Sequence, residues 1–194
     1  MKKILLASSS PRRTALLSQI GIKHEVMAPA IDESAFLGET PEDLVVILAV
    51  EKALNVASRV SDGLVIGADT VVILDKKVLG KPRDESEALD MLMRLQGQTH
   101  QVYTAVAVAN AQTQAVSADF RKVDVTMASF TKEELQAYIA TGEPLDKAGA
   151  YSIQGTGALL VQEIHGDYYA VVGLPLTLTL QLLTQNGYSS PLFN

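Results

Sequence analysis

The order of apolar and polar positions along the chain changes period repeatedly, and each change marks an element. Lys3 to Ala7 is a short apolar run that reads as a buried first strand. Ser10 and Pro11 then supply an N-cap and a proline at the first helical position. That helix carries Thr14, Ala15, Leu16 and Leu17, reaches Ile20 and stops at Gly21. A strand follows around Glu25 to Ala28. Thr40-Pro41-Glu42-Asp43 opens a second helix with a threonine cap, a proline and acids in the first turn. Leu44, Ile47, Leu48 and Glu51-Lys52 continue it to about Arg59. Leu64 to Ala68 is a buried-type strand with Asp69-Thr70 at its end, before Val71 to Leu74 and the polar turn Asp75-Lys76-Lys77.

The second half continues in the same manner. A helix is predicted over Glu85 to Leu95, closed near Gly97, and long strands over Gln101 to Ala109 and Lys122 to Phe130. Thr131 to Glu134 is a capping box for a further helix that ends at Gly142. Two strands flank the turn His165-Gly166-Asp167, and an amphipathic helix starts at Pro175 and ends near Gly187. The sum is an α/β fold with a mixed sheet and helices. With 194 residues, no repeat and no linker, one domain with two lobes is expected over 1–194.

Composition narrows the classes. Hydrophobic residues make up 47% of the chain, enough for a sizeable core, which argues against disorder. The absence of cysteine excludes disulfides, thiolate metal sites and a cysteine nucleophile, and fits a reducing, cytoplasmic compartment. Two lysines precede an apolar stretch at the N-terminus, but that stretch is too short for a signal core, and no apolar run can span a bilayer. The net charge of −6 argues against a general nucleic-acid surface, so any anionic ligand must be held by a local cluster of cations.

Several stretches offer such chemistry. In Ser8-Ser9-Ser10-Pro11-Arg12-Arg13 a strand ends, a hydroxyl-rich loop follows and a helix begins, a place where backbone N–H groups favour an anion. Two arginines in the first turn oppose the helix dipole, so they read either as phosphate ligands or as solvated side chains beside an ordinary cap. Asp69 is a carboxylate at the end of a buried strand. It reads as a Mg²⁺ ligand, a general base toward water, or a turn cap. Lys81, fixed between Gly80 and Pro82, suits a phosphate contact, although the spacing is not that of a P-loop. Asp32-Glu33 and Glu51-Lys52 are more often surface charge than site. The loop from Lys147 to Gly155 could cradle a base or sugar, with Gln154 offering a donor and an acceptor. His24, His100 and His165 lack ligand spacing and read as structural or surface residues. The cations Arg12, Arg13, Lys52 and Lys81 with the acids Glu33 and Asp69 match what phosphoanhydride hydrolysis requires.

Taken together, the stretches 6–13, 66–71, 79–82, 146–151 and 172–175 resemble the Maf family, known as septum-formation-inhibitor proteins and as nucleotide pyrophosphatases. The resemblance implies a fold like that of inosine triphosphate pyrophosphatases, with a curved mixed sheet, two lobes and a cleft. It implies metal-dependent release of pyrophosphate from nucleoside triphosphates, with Mg²⁺ or another divalent cation such as Mn²⁺ or Co²⁺. By resemblance Asp69 is the general base and Glu33 helps bind the metal. Arg13, Lys52 and Lys81 contact phosphates, and Ser8 lies in the same substrate-binding stretch. Arg12, Thr70 and Gln154 resemble the subgroup acting on dTTP and UTP. The 7-methyl-GTP subgroup carries an aromatic residue, Gln and Glu at those places. A neutral amide at Gln154 can pair with both the carbonyl and the N–H of a uracil or thymine edge. Ser152 departs from the glycine frequent in the family, which would mean strain if that position required positive φ. A homodimer is expected by analogy only, and a regulatory role in septum formation is the alternative reading.

Overall fold

A computed structural model describes residues 2–190. Among these residues seven strands form one mixed sheet: β1 (Ile4–Ala7), β2 (Glu25–Val26), β3 (Leu64–Leu74), β4 (Lys77–Leu79), β5 (Thr99–Asn110), β6 (Val116–Met127) and β7 (Val161–His165). They hydrogen-bond in the order β2-β1-β3-β5-β6-β7, with β4 paired to β3. Six α-helices accompany them among the described residues: α1 (Pro11–Gln19), α2 (Pro41–Ala57), α3 (Glu85–Leu95), α4 (Lys132–Ile139), α5 (Tyr168–Val172) and α6 (Leu176–Gln185). The chain divides into two compact units. Among the described residues the first comprises 2–69, 104–121 and 173–190, and the second 70–103 and 122–172.

In the first unit β1 lies between two parallel neighbours, pairing Leu5 with Glu25 on β2 and Ile4 to Ala7 with Leu64 to Gly67 on β3. A strand covered on both faces has no solvent side, so every residue of β1 is buried and the sequence shows a continuous apolar run. Helix α2 begins with a reciprocal capping box between Thr40 and Asp43. It packs against β3 at Gly67. A Cβ there would lie 2.2 Å from the Ala49 carbonyl oxygen and 2.7 Å from the Ala53 nitrogen. Only a residue without a side chain admits a helix backbone this close to a strand.

The second unit has its own apolar core, in which Leu74, Met91, Leu92, Leu95, Val123, Met127 and Leu135 pack together. Asp75 and Lys76, both at positive φ, make the two-residue hairpin joining β3 to β4. Buried in this unit is His100, whose Nε2 lies 2.7 Å from the Tyr151 hydroxyl. Its Nδ1 is enclosed without a hydrogen-bond partner among the described residues.

Among the element boundaries that depart from the sequence expectation, three have a clear local cause. Asp69 and Thr70 do not end a strand, because β3 runs unbroken from Leu64 to Leu74. An aspartate is tolerated mid-strand here because a buried lysine neutralises it. The residues after Asp167 form α5, not a strand, since the Asp167 carboxylate accepts from the Tyr169 N–H and its carbonyl from Ala170. β6 begins at Val116, before Lys122, because the Asn110 side chain closes a turn by accepting from Gln112 and Thr113 and sends a polar segment back as a strand.

Burial lowers the His100 pKa to about 4. The folded state therefore resists protonation that the unfolded chain undergoes near pH 6.5. The stability associated with neutral His100 is present above pH 6.5 and is lost as pH falls toward 4, by about 3 kcal/mol on linkage grounds. Urea unfolding of wild type and His100→Gln between pH 7 and pH 4 tests this. The wild-type advantage should shrink with acid, and an advantage that stays constant would contradict the burial account.

Candidate active site

Helix α2 places Lys52 and Asn55 on one face, by the i, i+3 spacing of a helix, and Arg59 follows in the turn just past its C-terminal end. Each side chain on that face holds a different part of the first unit. Lys52 is buried, with 6% of its surface exposed. Its ammonium nitrogen lies 2.6 Å from Asp69 Oδ1 on β3 and 2.9 Å from Glu33 Oε1. Asn55 accepts from the Ala30 N–H at 2.9 Å and donates to the Ala30 carbonyl at 3.3 Å, reproducing with one amide the pairing of a neighbouring strand. Arg59 donates to the Ala28 carbonyl at 2.8 Å. The chain from Ala28 to Ala30 is thereby fastened to the helix that carries Lys52 and to the turn that follows it. Three residues later a single helical turn, capped by Asp32 through the Ser34 N–H, delivers Glu33 to the ammonium.

The ammonium is thus shared between two carboxylates in unlike surroundings. The Glu33 side chain is half exposed, whereas that of Asp69 retains 10% of its surface. Burial is the largest influence on Asp69 and raises its pKa above the ordinary carboxylate value, while Lys52 and Arg13 pull it back without cancelling the rise. The result is an ionisable carboxylate of increased basicity held next to a fixed positive charge.

On the neighbouring side, Ser8 is buried at the end of β1. Its hydroxyl oxygen accepts from the Ser10 N–H at 3.1 Å and from Arg13 Nη1 at 3.3 Å. Arg13 also donates from Nη1 to the Ala68 carbonyl at 2.9 Å and from Nε to the Gly173 carbonyl at 2.8 Å. Burial lowers the pKa of its guanidinium, and Asp69 opposes that shift. The arginines at the start of α1 are therefore not both solvated: Arg13 ties the loop after β1 to β3 beside Asp69. Arg12 is half-buried on the same first turn.

In the first unit, then, Ser8, Arg13, Glu33, Lys52 and Asp69 come together. Thr70, Lys81 and Gln154 belong to the second unit. Thr70 follows Asp69 on β3 and is half-buried. Lys81 is exposed and lines a cavity of about 490 Å³ with Arg83, Asp84, Glu87 and Arg94 among others. The Gly80 carbonyl before it accepts from the Gly149 N–H at 3.0 Å, which joins the Gly80-Lys81-Pro82 stretch to the glycine-punctuated loop. Gln154 is half-buried on that loop. Ser152 does not adopt positive φ, so a serine there is unstrained. Sequence reasoning did not single out Gly67, Asn55 or Arg59. Their only signal was position: one glycine inside an apolar strand and two polar residues at helical spacing from Lys52.

A family model described as Maf-like protein matches residues 3–186. The chain belongs to the Maf family. Among its Maf relatives, a dTTP/UTP pyrophosphatase of Symbiobacterium thermophilum is 49% identical over 193 residues, spanning 100% of this chain and 97% of that protein. A dTTP/UTP pyrophosphatase of Bacillus cereus is 48% identical, spanning 95% of this chain and 90% of that protein. One from Dictyoglomus turgidum is 47% identical, spanning 97% and 98%. Among solved structures, the Ham1 protein of Staphylococcus aureus is similar over 66% of this chain and 72% of that one, at 16% identity and a TM-score of 0.46, a likeness too remote to bear on function.

Gly67→Ala tests how the Maf site is assembled. The new methyl would require α2 to move away from β3, separating Lys52 from Asp69. Overpacking of this kind should destabilise the protein by about 3 kcal/mol. A change below about 0.5 kcal/mol in urea unfolding, within what surface substitutions produce, would show that the close approach is not a constraint.

Proposed function

We propose that this chain is a nucleoside triphosphate pyrophosphatase that hydrolyses dTTP and UTP to the nucleoside monophosphate and pyrophosphate. The observation that carries the reading is the buried Lys52 ammonium set between Asp69 and Glu33. Maf relatives named dTTP/UTP pyrophosphatase, near half-identical along nearly the whole chain, support the choice of substrate.

The reaction adds water across the α–β phosphoanhydride bond, and the proton lost by water must go to a base. Asp69 is suited to take it. Its raised pKa makes it a stronger base than an exposed aspartate, and Lys52 favours its ionised form so that it can accept. Lys52 also provides fixed positive charge where negative charge collects on the phosphate oxygens. Arg13, already oriented by three bonds to Ser8, Ala68 and Gly173, adds a second fixed cation on the same side.

We further propose Mg²⁺ as the cofactor. Glu33 and Asp69 offer hard carboxylate oxygens close enough to share one cation, which is the donor type Mg²⁺ prefers. Among the described residues no group of three or more His, Cys, Asp or Glu could hold a metal ion. The protein would therefore contribute the two carboxylates, leaving the other positions to phosphate and water. When bound, the ion supplies charge neutralisation to the triphosphate. A cytoplasmic nucleotide pool is the proposed setting. No helix among the described residues is long and apolar enough to cross a membrane.

A screen of nucleoside triphosphates with coupled pyrophosphatase, with and without Mg²⁺, tests the reading. UTP and dTTP should be the best substrates and Asp69→Asn should lower turnover by about 10²- to 10⁴-fold. The acid limb of kcat/KM should lie above the ordinary aspartate range, because protonation removes the base. The same raised pKa means that ionising Asp69 costs the folded state, so stability from this group is lost as pH rises through it. Asp69→Asn should consequently gain in melting temperature relative to wild type as pH rises from 4 to 7. Pyrophosphate release at wild-type rate by Asp69→Asn would refute the assignment of the base.

A further inference from the structure

The segment around Gln154 is gripped more tightly than an ordinary connection. Glu143 stands at the start of a short helical turn after Gly142. Its Oε1 accepts from the Gly157 N–H at 2.9 Å and from the Tyr138 hydroxyl at 3.1 Å, and its Oε2 accepts from the Thr156 N–H at 3.1 Å. The Tyr138 oxygen in turn accepts from the Ser152 N–H at 3.2 Å. Burial, reinforced by the Glu143 charge, pushes the Tyr138 phenol well above its ordinary pKa, so it remains a donor at any working pH. Just before this segment, the Tyr151 hydroxyl is anchored on His100.

Two glycines report how close this approach is. A Cβ on Gly155, whose φ is +64°, would lie 2.7 Å from Glu143 Oε2. A Cβ on Gly157 would lie 2.6 Å from the Tyr138 hydroxyl and 2.8 Å from Glu143 Oε1. Both glycines are therefore needed for the carboxylate to reach backbone N–H groups. Gln154 sits between the anchored residues. Its N–H donates to Ser152 Oγ at 3.0 Å, while its side-chain amide makes no hydrogen bond among the described residues. A fixed backbone carrying an unengaged amide is the arrangement a reader of a planar polar edge requires.

We propose that Glu143 and Tyr138 are positioning residues for base selection, holding the backbone on both sides of Gln154 so that its amide is presented in one orientation to the pyrimidine edge. This rests on the dTTP/UTP reading and adds to it the residues that set its selectivity. Neither side chain needs to touch the nucleotide. Their effect passes through the 152–157 backbone.

The test is a set of kcat/KM measurements for UTP and CTP on the full chain with Mg²⁺, with folding checked by thermal melting. In Glu143→Gln an amide N–H₂ replaces one acceptor oxygen and cannot serve the same donors. The UTP over CTP preference should fall by about tenfold, the scale of a lost pocket contact, mainly through KM, with kcat for UTP held within about threefold. Tyr138→Phe should shift the preference in the same direction and provides the test if Glu143→Gln does not fold. In a Gln154→Ala background, Glu143→Gln should produce no further loss of preference, because the residue through which it acts is gone. An unchanged preference in a folded Glu143→Gln or Tyr138→Phe protein would overturn the proposal. So would an equal loss of preference with and without Gln154. A wild-type enzyme that releases pyrophosphate equally from UTP and CTP would remove base selection itself. A wild type that releases none from either would refute the pyrophosphatase reading instead.

Discussion

One buried ammonium organises the chemistry of the first unit. Lys52 is taken out of water by α2 packing on β3, and a charge so placed costs several kcal/mol unless it is paired. The pairing comes from two directions: Asp69 inside the sheet and Glu33 on a loop fastened to α2 by Asn55 and to the turn after it by Arg59. The packing distance that makes this possible is set by the missing side chain of Gly67. Backbone approach, ion pairing and loop fastening are thus one constraint seen at three residues.

The consequence for chemistry lies in the balance of forces on Asp69. Full neutralisation by Lys52 would give a weak base, and burial without a partner would give a protonated acid. Here burial prevails over the cations, which raises basicity while the partner charge remains in place. The half-exposed Glu33 on the other side of the same ammonium keeps hard oxygen donors near water. The second unit works by a different principle. There a carboxylate, Glu143, satisfies backbone donors and shapes the segment that carries Gln154.

Much of this was legible in the sequence, and for physical reasons. The helices α2 and α4 announced themselves through capping boxes, at Thr40–Asp43 and Thr131–Glu134, and α1 through the proline at its first position, since the Ser10 side chain makes no cap hydrogen bond. The continuous apolar run of β1 follows from burial on both faces. Asp69 was recognisable as an anomaly in an apolar run, although the strand passes through it, because the neutralising lysine is distant in sequence. The helix after Asp167 was hidden because its apolar residues read equally as strand, and the deciding cap is a single side chain. Glu143 gave no signal at all, and Asn55 only its helical spacing from Lys52. Their partners are backbone groups, and backbone carries no sequence identity.

The proposed hydrolysis requires the Lys52 charge that Asp69 and Glu33 share. Substitution of Lys52 by Met keeps most of the buried stem and removes the charge, and steady-state pyrophosphate release from UTP reads the result directly. The account predicts a fall in kcat of about 10²-fold or more in a folded protein, the scale of losing one preorganised electrostatic group, with the acid limb moved to higher pH as Asp69 loses its partner. A folded Lys52→Met protein that turns over UTP at the wild-type rate, with an unshifted acid limb, would contradict it.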